Sequence, residues 1–219
     1  MSSELLKYPK SWHTHKSRPD PKGNDRAHSS YDHFIGRNVV VSTKLDGENT
    51  GMTRETIHAR SLDSLDHPSR HWVKAKHAEI KHLIPEGYKV FGENVMAKHA
   101  IHYTKLPSFF FMFGVYDERN TCLSWDEVKM WAGELGLLTV PVLYEGVWDE
   151  ERVEACYTGR TIIDGTDCGE MEGYVIRCRE SFNIDEFAVR VSKYVRPHFI
   201  AGDTEHWTKA TYMPNEMKK

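Results

Sequence analysis

The chain lacks the residue patterns that build disulfide-stapled or zinc-stapled proteins. Its four cysteines stand at positions 122, 156, 168 and 178. They form no Cys-x-x-Cys pair and complete no zinc-finger spacing with histidine. We therefore expect neither a disulfide framework nor a structural zinc site. We also expect the protein to reside in a reducing compartment. Thirteen histidines are present, but no group of them has the spacing of metal ligands.

Long apolar runs and a strong net charge are also missing. The longest apolar cluster, residues 109–115, is far too short to cross a membrane, and residues 1–16 contain no signal-peptide core. We expect a soluble cytoplasmic protein that makes no membrane contact. The formal net charge is only −3, so a nucleic-acid site would have to be a local patch.

The composition that remains is that of an ordinary globular protein. Hydrophobic residues make up 39% and charged residues 28% of the 219 positions, enough to bury a core. Gly 15 and Pro 9 exclude collagen-like and Pro-rich classes. We expect a polar arm over residues 1–30, a folded domain over 31–200, and a tail over 201–219 that Trp207 anchors.

Local patterns predict an α+β fold of mostly antiparallel sheets, because strands and helices interleave without a βαβ rhythm. Strands are predicted at 39–48, 52–61, 88–94, 108–117, 139–146, 169–178 and 186–196. Helices are predicted at 69–84, from a Ser124–Glu127 capping box onward, and at 148–157.

The first chemical motif is Lys44-Leu45-Asp46-Gly47, where a lysine ends a strand before a glycine turn. Such a lysine can present its amine to a cleft and act as a nucleophile. Taken alone, the motif fits an exposed hairpin lysine equally well.

Four further motifs follow in order along the chain. Residues 91–94 (FGEN) and 172–177 (EGYVIR) each place a glutamate beside a glycine at a strand end. Residues 111–117 (FMFGVYD) form an aromatic strand that can offer a ring face to a base. Residues 191–196 (VSKYVR) place a second lysine on a late strand.

This ordered set resembles the covalent nucleotidyltransferase superfamily of RNA ligases, ATP-dependent DNA ligases and mRNA capping enzymes. The resemblance covers roughly residues 40–200, and it is strongest to the RNA ligase 2 type of RNA ligase. It implies a nucleotidyltransferase (ATP-grasp-like) domain of antiparallel sheets flanked by helices.

The resemblance also implies roles in nucleotide binding. Lys44 would attack the α-phosphate of ATP and form a lysyl-adenylate. Arg60 would contact the ribose and later the RNA 5′-phosphate, and Glu93 would hold the ribose hydroxyls. Phe113 would stack on adenine, with Tyr116 as the alternative because the strand register is open.

The same resemblance implies that Glu172 organises the water shell of a catalytic Mg²⁺ or Mn²⁺ and that Lys193 neutralises the α-phosphate. Holding a lysine neutral near pH 7 costs about 4 kcal/mol. We expect Lys193 and the bound cation to oppose the charged form of Lys44.

Two positions depart from the family pattern. Thr43 replaces a glutamate that contacts the adenine edge, and its hydroxyl could accept from the adenine amino group. Val191 replaces a lysine, which leaves Arg190 and Arg196 as flanking cations on the strand face opposite Lys193. Only 23 residues follow Arg196, so we expect no OB domain.

We therefore expect an ATP-dependent RNA ligase that joins 3′-OH and 5′-phosphate ends. Its partners would be RNA ends, in single-stranded RNA, a nicked duplex or an RNA–DNA hybrid, and an RNA-repair enzyme. The alternatives are a GTP-dependent capping-type enzyme and a module that binds RNA ends or nucleotides without sealing. Residues 67–71 and 98–105 could line a phosphate groove, or form a solvated basic face.

Overall fold

The computed structural model describes residues 5–17, 25–62, 66–197, 199 and 212–219. The helices are α1 (His71–Ile80), α2 (Trp125–Leu135), α3 (Glu150–Glu154) and α4 (Phe187–Arg190). The strands are β1 (Trp12–His13), β2 (Asn38–Lys44), β3 (Glu48–Met52), β4 (Ile57–Ala59), β5 (Lys89–Asn94), β6 (Phe110–Tyr116), β7 (Thr121–Cys122), β8 (Leu138–Thr139), β9 (Val142–Val147), β10 (Arg160–Ile163), β11 (Thr166–Glu170), β12 (Gly173–Cys178), β13 (Phe182–Asn183) and β14 (Val191–Val195).

One sheet has the order β1-β14-β12-β2-β9. Its central pairs are antiparallel, and the edge strand β1 runs parallel to β14. The register sets Lys44 opposite Gly173, and it sets Val175 opposite both Ser42 and Lys193. Because side chains alternate along a strand, Ser42, Lys44 and Lys193 share one face of this sheet.

The second sheet has the order β13-β7-β6-β5-β3-β4, and β8 pairs alongside β6 in parallel. The two sheets share a core, since Val40 of β2 and Val195 of β14 belong to the same buried cluster as Phe110 and Met112 of β6. The predicted α+β class with mostly antiparallel sheets is confirmed.

Helix α2 forms where its capping signals predict. Ser124 accepts from the backbone N–H of Glu127, and the Glu127 carboxylate accepts from the Ser124 backbone N–H. Val128 and Leu135 lie on its buried face. The helix ends at Gly136, whose left-handed φ of 59° favours glycine.

Several predicted strands are shorter or broken. The predicted strand 186–196 is wrong in its first half, because residues 187–190 form α4. The predicted strand 139–146 is interrupted at Pro141, which cannot donate a ladder hydrogen bond. The predicted strand 169–178 breaks between β11 and β12. The predicted strand 52–61 contains the last residue of β3, a turn, and the three-residue strand β4.

Described residues near both ends of the chain contact the central part of the fold. Strand β1 extends the first sheet, and Asn215 is buried where its side chain bonds the backbone of Val95, Ala97 and Tyr103. The predicted anchor Trp207 lies outside the described residues. The division of the chain at residues 30 and 200 stays a prediction.

The four cysteines are buried and free. Within the described ranges, no helix is long and apolar enough to span a bilayer.

Candidate active site

A cavity of about 1020 Å³ lies between the two sheets. Its walls include residues from β2, β12 and β14 of the first sheet and from β3, β5 and β6 of the second. Of the residues proposed from the sequence, the walls contain Thr43, Lys44, Arg60, Glu93, Phe113 and Lys193. The size is that of a pocket for a ligand as large as a nucleotide.

Lys44 is the last residue of β2, and its ammonium faces a buried carboxylate. Its Nζ donates to Oε2 of Glu172 over 2.6 Å. Glu172 is only 5% exposed and directly precedes β12, whose first residue, Gly173, pairs with Lys44. The strand register therefore brings these two groups together across 128 residues of sequence.

The charge state of Lys44 differs from the sequence expectation. Burial lowers the pKa of Lys44, but the Glu172 carboxylate, together with Glu93 where Glu93 is ionised, outweighs burial and holds this pKa above its usual range. The protein groups alone therefore keep the lysine charged. Neutralising the carboxylates, rather than adding a repelling cation, is what would release the free amine.

The turn after Lys44 is fixed by the backbone around it. Oδ2 of Asp46 accepts from the N–H groups of Ala100 and Ile101 at 2.7 and 2.8 Å, and the N–H of Gly47 donates to Oε1 of Glu93 at 3.1 Å. A Cβ at Gly47 would lie 2.5 Å from the carbonyl oxygen of Asn94. Glycine is thus required here by close approach.

Glu93 is the titrating group that the site perturbs most clearly. The pKa of Glu93 is raised to about 8. Burial is the largest cause; the Glu172 carboxylate also raises this pKa, and the Lys44 ammonium lowers it. A protonated Glu93 can donate as well as accept a hydrogen bond near neutral pH.

Lys193 reaches the cavity from β14, on the same face as Lys44. Burial lowers the pKa of Lys193, the Lys44 ammonium lowers it further, and Asp25 raises it. Nζ of Lys193 donates to Oδ2 of Asp25 over 2.5 Å.

The two candidate aromatics of β6 are placed differently. Phe113 is half-buried and lines the cavity, whereas Tyr116 is fully buried and lies outside the cavity wall. The guanidinium of Arg177 donates to the carbonyl oxygens of Phe113 and Leu123 at 3.0 and 2.8 Å, which braces this strand. The geometry favours Phe113 as the ring that a base could meet.

Arg60 and Thr43 also border the cavity. Arg60 follows β4, and its Nε donates to the carbonyl oxygen of Tyr8 at 3.1 Å. Thr43 is 2% exposed, and its buried Oγ1 finds no hydrogen-bond partner within the described part of the chain.

The remaining cationic candidates divide into two groups. His67, Arg70 and His99 line the cavity, and Arg70 makes a two-point ion pair with Glu48. Arg190 and Arg196 do not line it; they bond Glu186 and Glu170 respectively. Arg190 also lies on α4 and not on the predicted strand.

The carboxylates of the site suit a hydrated divalent ion. In the described ranges, no group of three or more His, Cys, Asp or Glu side chains is arranged to hold a metal directly. Mg²⁺ typically keeps several waters and binds through one or two carboxylates plus substrate phosphates. The buried Glu172 beside Lys44 fits that mode of binding.

Sequence reasoning missed the N-terminal arm, by which we mean the described residues 5–17 and 25–30. Lys7, Tyr8, Pro9, Lys10 and Ser11 all line the cavity, and Asp25 bonds Lys193. The available signal was weak: Tyr8 and Trp12 are isolated aromatics in an otherwise polar segment.

Comparisons with known proteins agree with this fold. Solved structures of Naegleria gruberi RNA ligase share the fold. An apo mutant has a TM-score of 0.54 and 14% identity, covering 75% of this chain and 51% of that chain. A mutant with ATP and Mn has a TM-score of 0.54 and 16% identity, covering 76% and 52%.

The same enzyme with PPi has a TM-score of 0.54 and 16% identity, covering 75% of this chain and 51% of that chain. The chain thus spans about half the length of these structures. Comparison with curated proteins finds no match. The sequence model described as RNA ligase matches residues 37–195, well over half of the chain. The chain therefore belongs to the RNA ligase family.

Proposed function

We propose that this protein is an ATP-dependent RNA ligase that joins 3′-OH and 5′-phosphate ends through a lysyl-AMP on Lys44 and an RNA-adenylate. The observation that carries the proposal is the arrangement of Lys44, Glu172 and Lys193. Strands β2 and β14 bring Lys44 and Lys193 to the cavity wall, and Glu172, which directly precedes β12 and is not itself part of that wall, contacts Lys44.

The first step follows from the contacts of Lys44. Its ammonium must lose a proton before attack, and Glu172 is the acceptor in contact with it. The Nζ–P bond then forms with loss of a second proton to solvent. The Pα–O bond to the β-phosphate breaks, and its electron pair leaves with pyrophosphate.

The other residues would hold the nucleotide. Lys193 would place positive charge on the α-phosphate, where negative charge develops. Glu93 would bond the ribose hydroxyls, Phe113 would stack on the base, and the unpartnered Oγ1 of Thr43 is positioned to accept from an exocyclic amine.

A divalent cation, Mg²⁺ or Mn²⁺, would be held through its waters by Glu172 and would add charge stabilisation at the phosphorus. That charge would also offset the Glu172 carboxylate, which otherwise favours the ammonium form of Lys44.

The RNA steps would use Arg60, whose guanidinium borders the cavity. We propose that Arg60 contacts the ribose first and the transferred 5′-phosphate later. The form of the substrate (single-stranded RNA, a nicked duplex or an RNA–DNA hybrid), the repair partner and the cytoplasmic location stay predictions from the sequence.

The experiment is labelling of the protein with α-labelled ATP in the presence of Mg²⁺. The parent protein should form a labelled band, and Lys44→Ala should abolish it. Lys129→Ala is the control, because Lys129 is an exposed α2 lysine outside the cavity wall. A Lys44→Ala protein that labels like the parent would overturn the assignment.

Companion measurements separate the alternatives. Glu172→Ala and Lys193→Ala should also lose adenylation while keeping the parent's circular dichroism spectrum. Labelling by GTP and not ATP would favour a capping-type enzyme. Labelling by ATP without any sealing of RNA ends would favour a binding module.

A further inference from the structure

The N-terminal arm forms part of the cavity wall, although no sequence motif in the arm predicts this. Its residues 7–11 line the cavity together with Lys44, Lys193 and Arg60. The arm thus brings two lysines, Lys7 and Lys10, to a site where a highly charged nucleotide would bind.

The arm is held at both sides of Lys10. On one side, the ring of Tyr8 lies 5.1 Å from those of Phe91 and Phe113, and Arg60 bonds its carbonyl oxygen. On the other side, Trp12–His13 pairs with Ser192–Lys193. Lys10 stands two residues from each anchor, so the fold fixes its backbone at the cavity rim.

A single carboxylate joins Lys10 to Lys193. Oδ1 of Asp25 accepts from Nζ of Lys10 at 3.2 Å, and Oδ2 accepts from Nζ of Lys193 over 2.5 Å. His13 Nε2 lies 3.3 Å from the same Oδ2. Two ammonium groups therefore flank one small anion at the cavity rim.

The order of the strands shows where Lys10 and Lys193 lie relative to the nucleophile Lys44. In the order β1-β14-β12-β2, Lys44 is on β2, Lys193 is on β14, and the arm strand β1 lies beyond β14. Strand β1, which begins two residues after Lys10, is therefore on the side of Lys193 that faces away from Lys44. In an in-line displacement, the leaving group departs on the side opposite the nucleophile.

We propose that Lys10 binds the β- and γ-phosphates of the nucleotide and orients the departing pyrophosphate, next to Lys193 at the α-phosphate, with the carboxylate of Asp25 holding the two lysines in place until the polyphosphate displaces it. This inference rests on the proposed adenylation at Lys44. A polyphosphate carries several negative charges, so it competes well against one carboxylate for two ammonium groups.

The chemistry of the step is unchanged by this role. The Nζ–P bond to Lys44 forms, the Pα–O bond breaks, and pyrophosphate leaves with the electron pair. Lys10 only neutralises charge on the leaving group. Its loss should therefore slow both the adenylation of Lys44 by ATP and the reverse reaction with pyrophosphate. It should not matter for sealing of pre-adenylylated RNA, which releases AMP and no pyrophosphate.

The test compares Lys10→Ala with Lys16→Ala. Lys16 is another lysine of the arm, but it pairs with Glu150 and Glu154 and does not line the cavity. Single-turnover labelling at a series of ATP concentrations should show kcat/KM about tenfold lower for Lys10→Ala. Lys16→Ala should match the parent.

The reverse reaction gives a second readout. Pre-adenylated protein incubated with pyrophosphate regenerates ATP, and Lys10→Ala should need about tenfold more pyrophosphate for the half-maximal rate. Both lysine variants should seal pre-adenylylated RNA at the parent rate, which shows that they fold. Asp25→Asn should lower the KM for ATP several-fold, because the competing carboxylate is gone.

Each outcome decides a separate point. Suppose that the parent adenylates and that Lys10→Ala matches Lys16→Ala both in kcat/KM for ATP and in its need for pyrophosphate. The inference about Lys10 is then wrong, while the proposed function stands. If Asp25→Asn raises the KM for ATP, the displacement of Asp25 is wrong. If the parent itself never adenylates, the proposed function and this inference fall together.

Discussion

At the scale of single residues, the site is a balance of charges around one lysine. Lys44 is surrounded by Glu172 and Glu93, and these outweigh the burial that would otherwise release a neutral amine. From the sequence alone, we expect Lys193 and a bound divalent cation to oppose the charged form of Lys44. The register that brings the carboxylates so close is a tertiary property that motif spacing does not encode.

Glu93 provides a prediction on pH. Its pKa of about 8 lies above the ordinary 4.5, so between these values the folded state holds a proton that the unfolded chain has lost. The contribution of Glu93 to the free energy of unfolding therefore decreases as the pH rises from about 4.5 to about 8. Glu93→Gln should remove this decrease.

The measurement is urea unfolding at pH 5, 6.5 and 8. The free energy of unfolding of Glu93→Gln, taken relative to that of the parent, should be higher at pH 8 than at pH 5 by at least about 1.4 kcal/mol. This is the value of a tenfold change in a protonation equilibrium. Glu134→Gln, on the exposed face of α2, serves as the control. Parallel pH curves for parent and Glu93→Gln would contradict the burial of a neutral Glu93.

Arg60 provides a prediction that separates the nucleotide step from the RNA step. Loss of a charge-assisted contact to the 5′-phosphate typically costs about 1.5–3 kcal/mol, roughly 10- to 150-fold in rate. Arg60→Ala should therefore slow sealing of pre-adenylylated RNA by that factor. Single-turnover kinetics with Mg²⁺ and no ATP measure it.

Arg54→Ala is the matched control, since Arg54 is an exposed arginine in the turn before β4 and does not line the cavity. If Arg60→Ala seals pre-adenylylated RNA as fast as the parent does, Arg60 serves only to anchor the carbonyl oxygen of Tyr8.

At the scale of elements, the strand motifs could be located from the sequence because they combine β-branched or aromatic residues with glycine turns. The Ser124 capping box likewise located the start of α2. Element ends were less predictable. Phe187–Arg190 continues the apolar pattern of β14, and only tertiary packing makes it a helix. Pairing of the arm with β14 is a long-range contact that no local pattern signals.

Gly173 provides a prediction at this scale, because it connects Glu172 to β12. A Cβ there would lie 1.9 Å from the carbonyl oxygen of Tyr194 on the paired strand. Gly173→Ala should therefore push β12 from β14, cost about 1–3 kcal/mol of stability, and slow adenylation by displacing Glu172.

Chemical denaturation and ATP labelling check both effects. Gly133→Ala is the control, because a Cβ at this α2 position meets nothing within 4 Å. There alanine should stabilise the protein by about 0.5–1 kcal/mol. A Gly173→Ala protein as stable as the parent would show that the two strands separate at no cost.

At the scale of the whole molecule, the cavity belongs to both sheets, so neither sheet alone makes the site. Lys44 and Lys193 come from one sheet, and Glu93 and Phe113 come from the other. A nucleotide bound between the sheets would contact both and stabilise the folded state. It would do so by mass action, in proportion to the logarithm of its concentration over its Kd.

Thermal unfolding of Lys44→Ala with nucleotide isolates this binding, because the variant has no amine to form a covalent product. ATP with Mg²⁺ at about 100 times its Kd should add about 2.7 kcal/mol, or roughly 5–10 °C in Tm for a chain of this length. For an ATP-dependent ligase, GTP at the same concentration should give a smaller shift. The buried hydroxyl of Thr43 does not by itself ensure this, because it can accept from the amino group of adenine and can also donate to the carbonyl oxygen of guanine. An equal or larger shift with GTP would mean that Thr43 does not select the base, and the capping-type alternative would then gain over the ATP-dependent ligase.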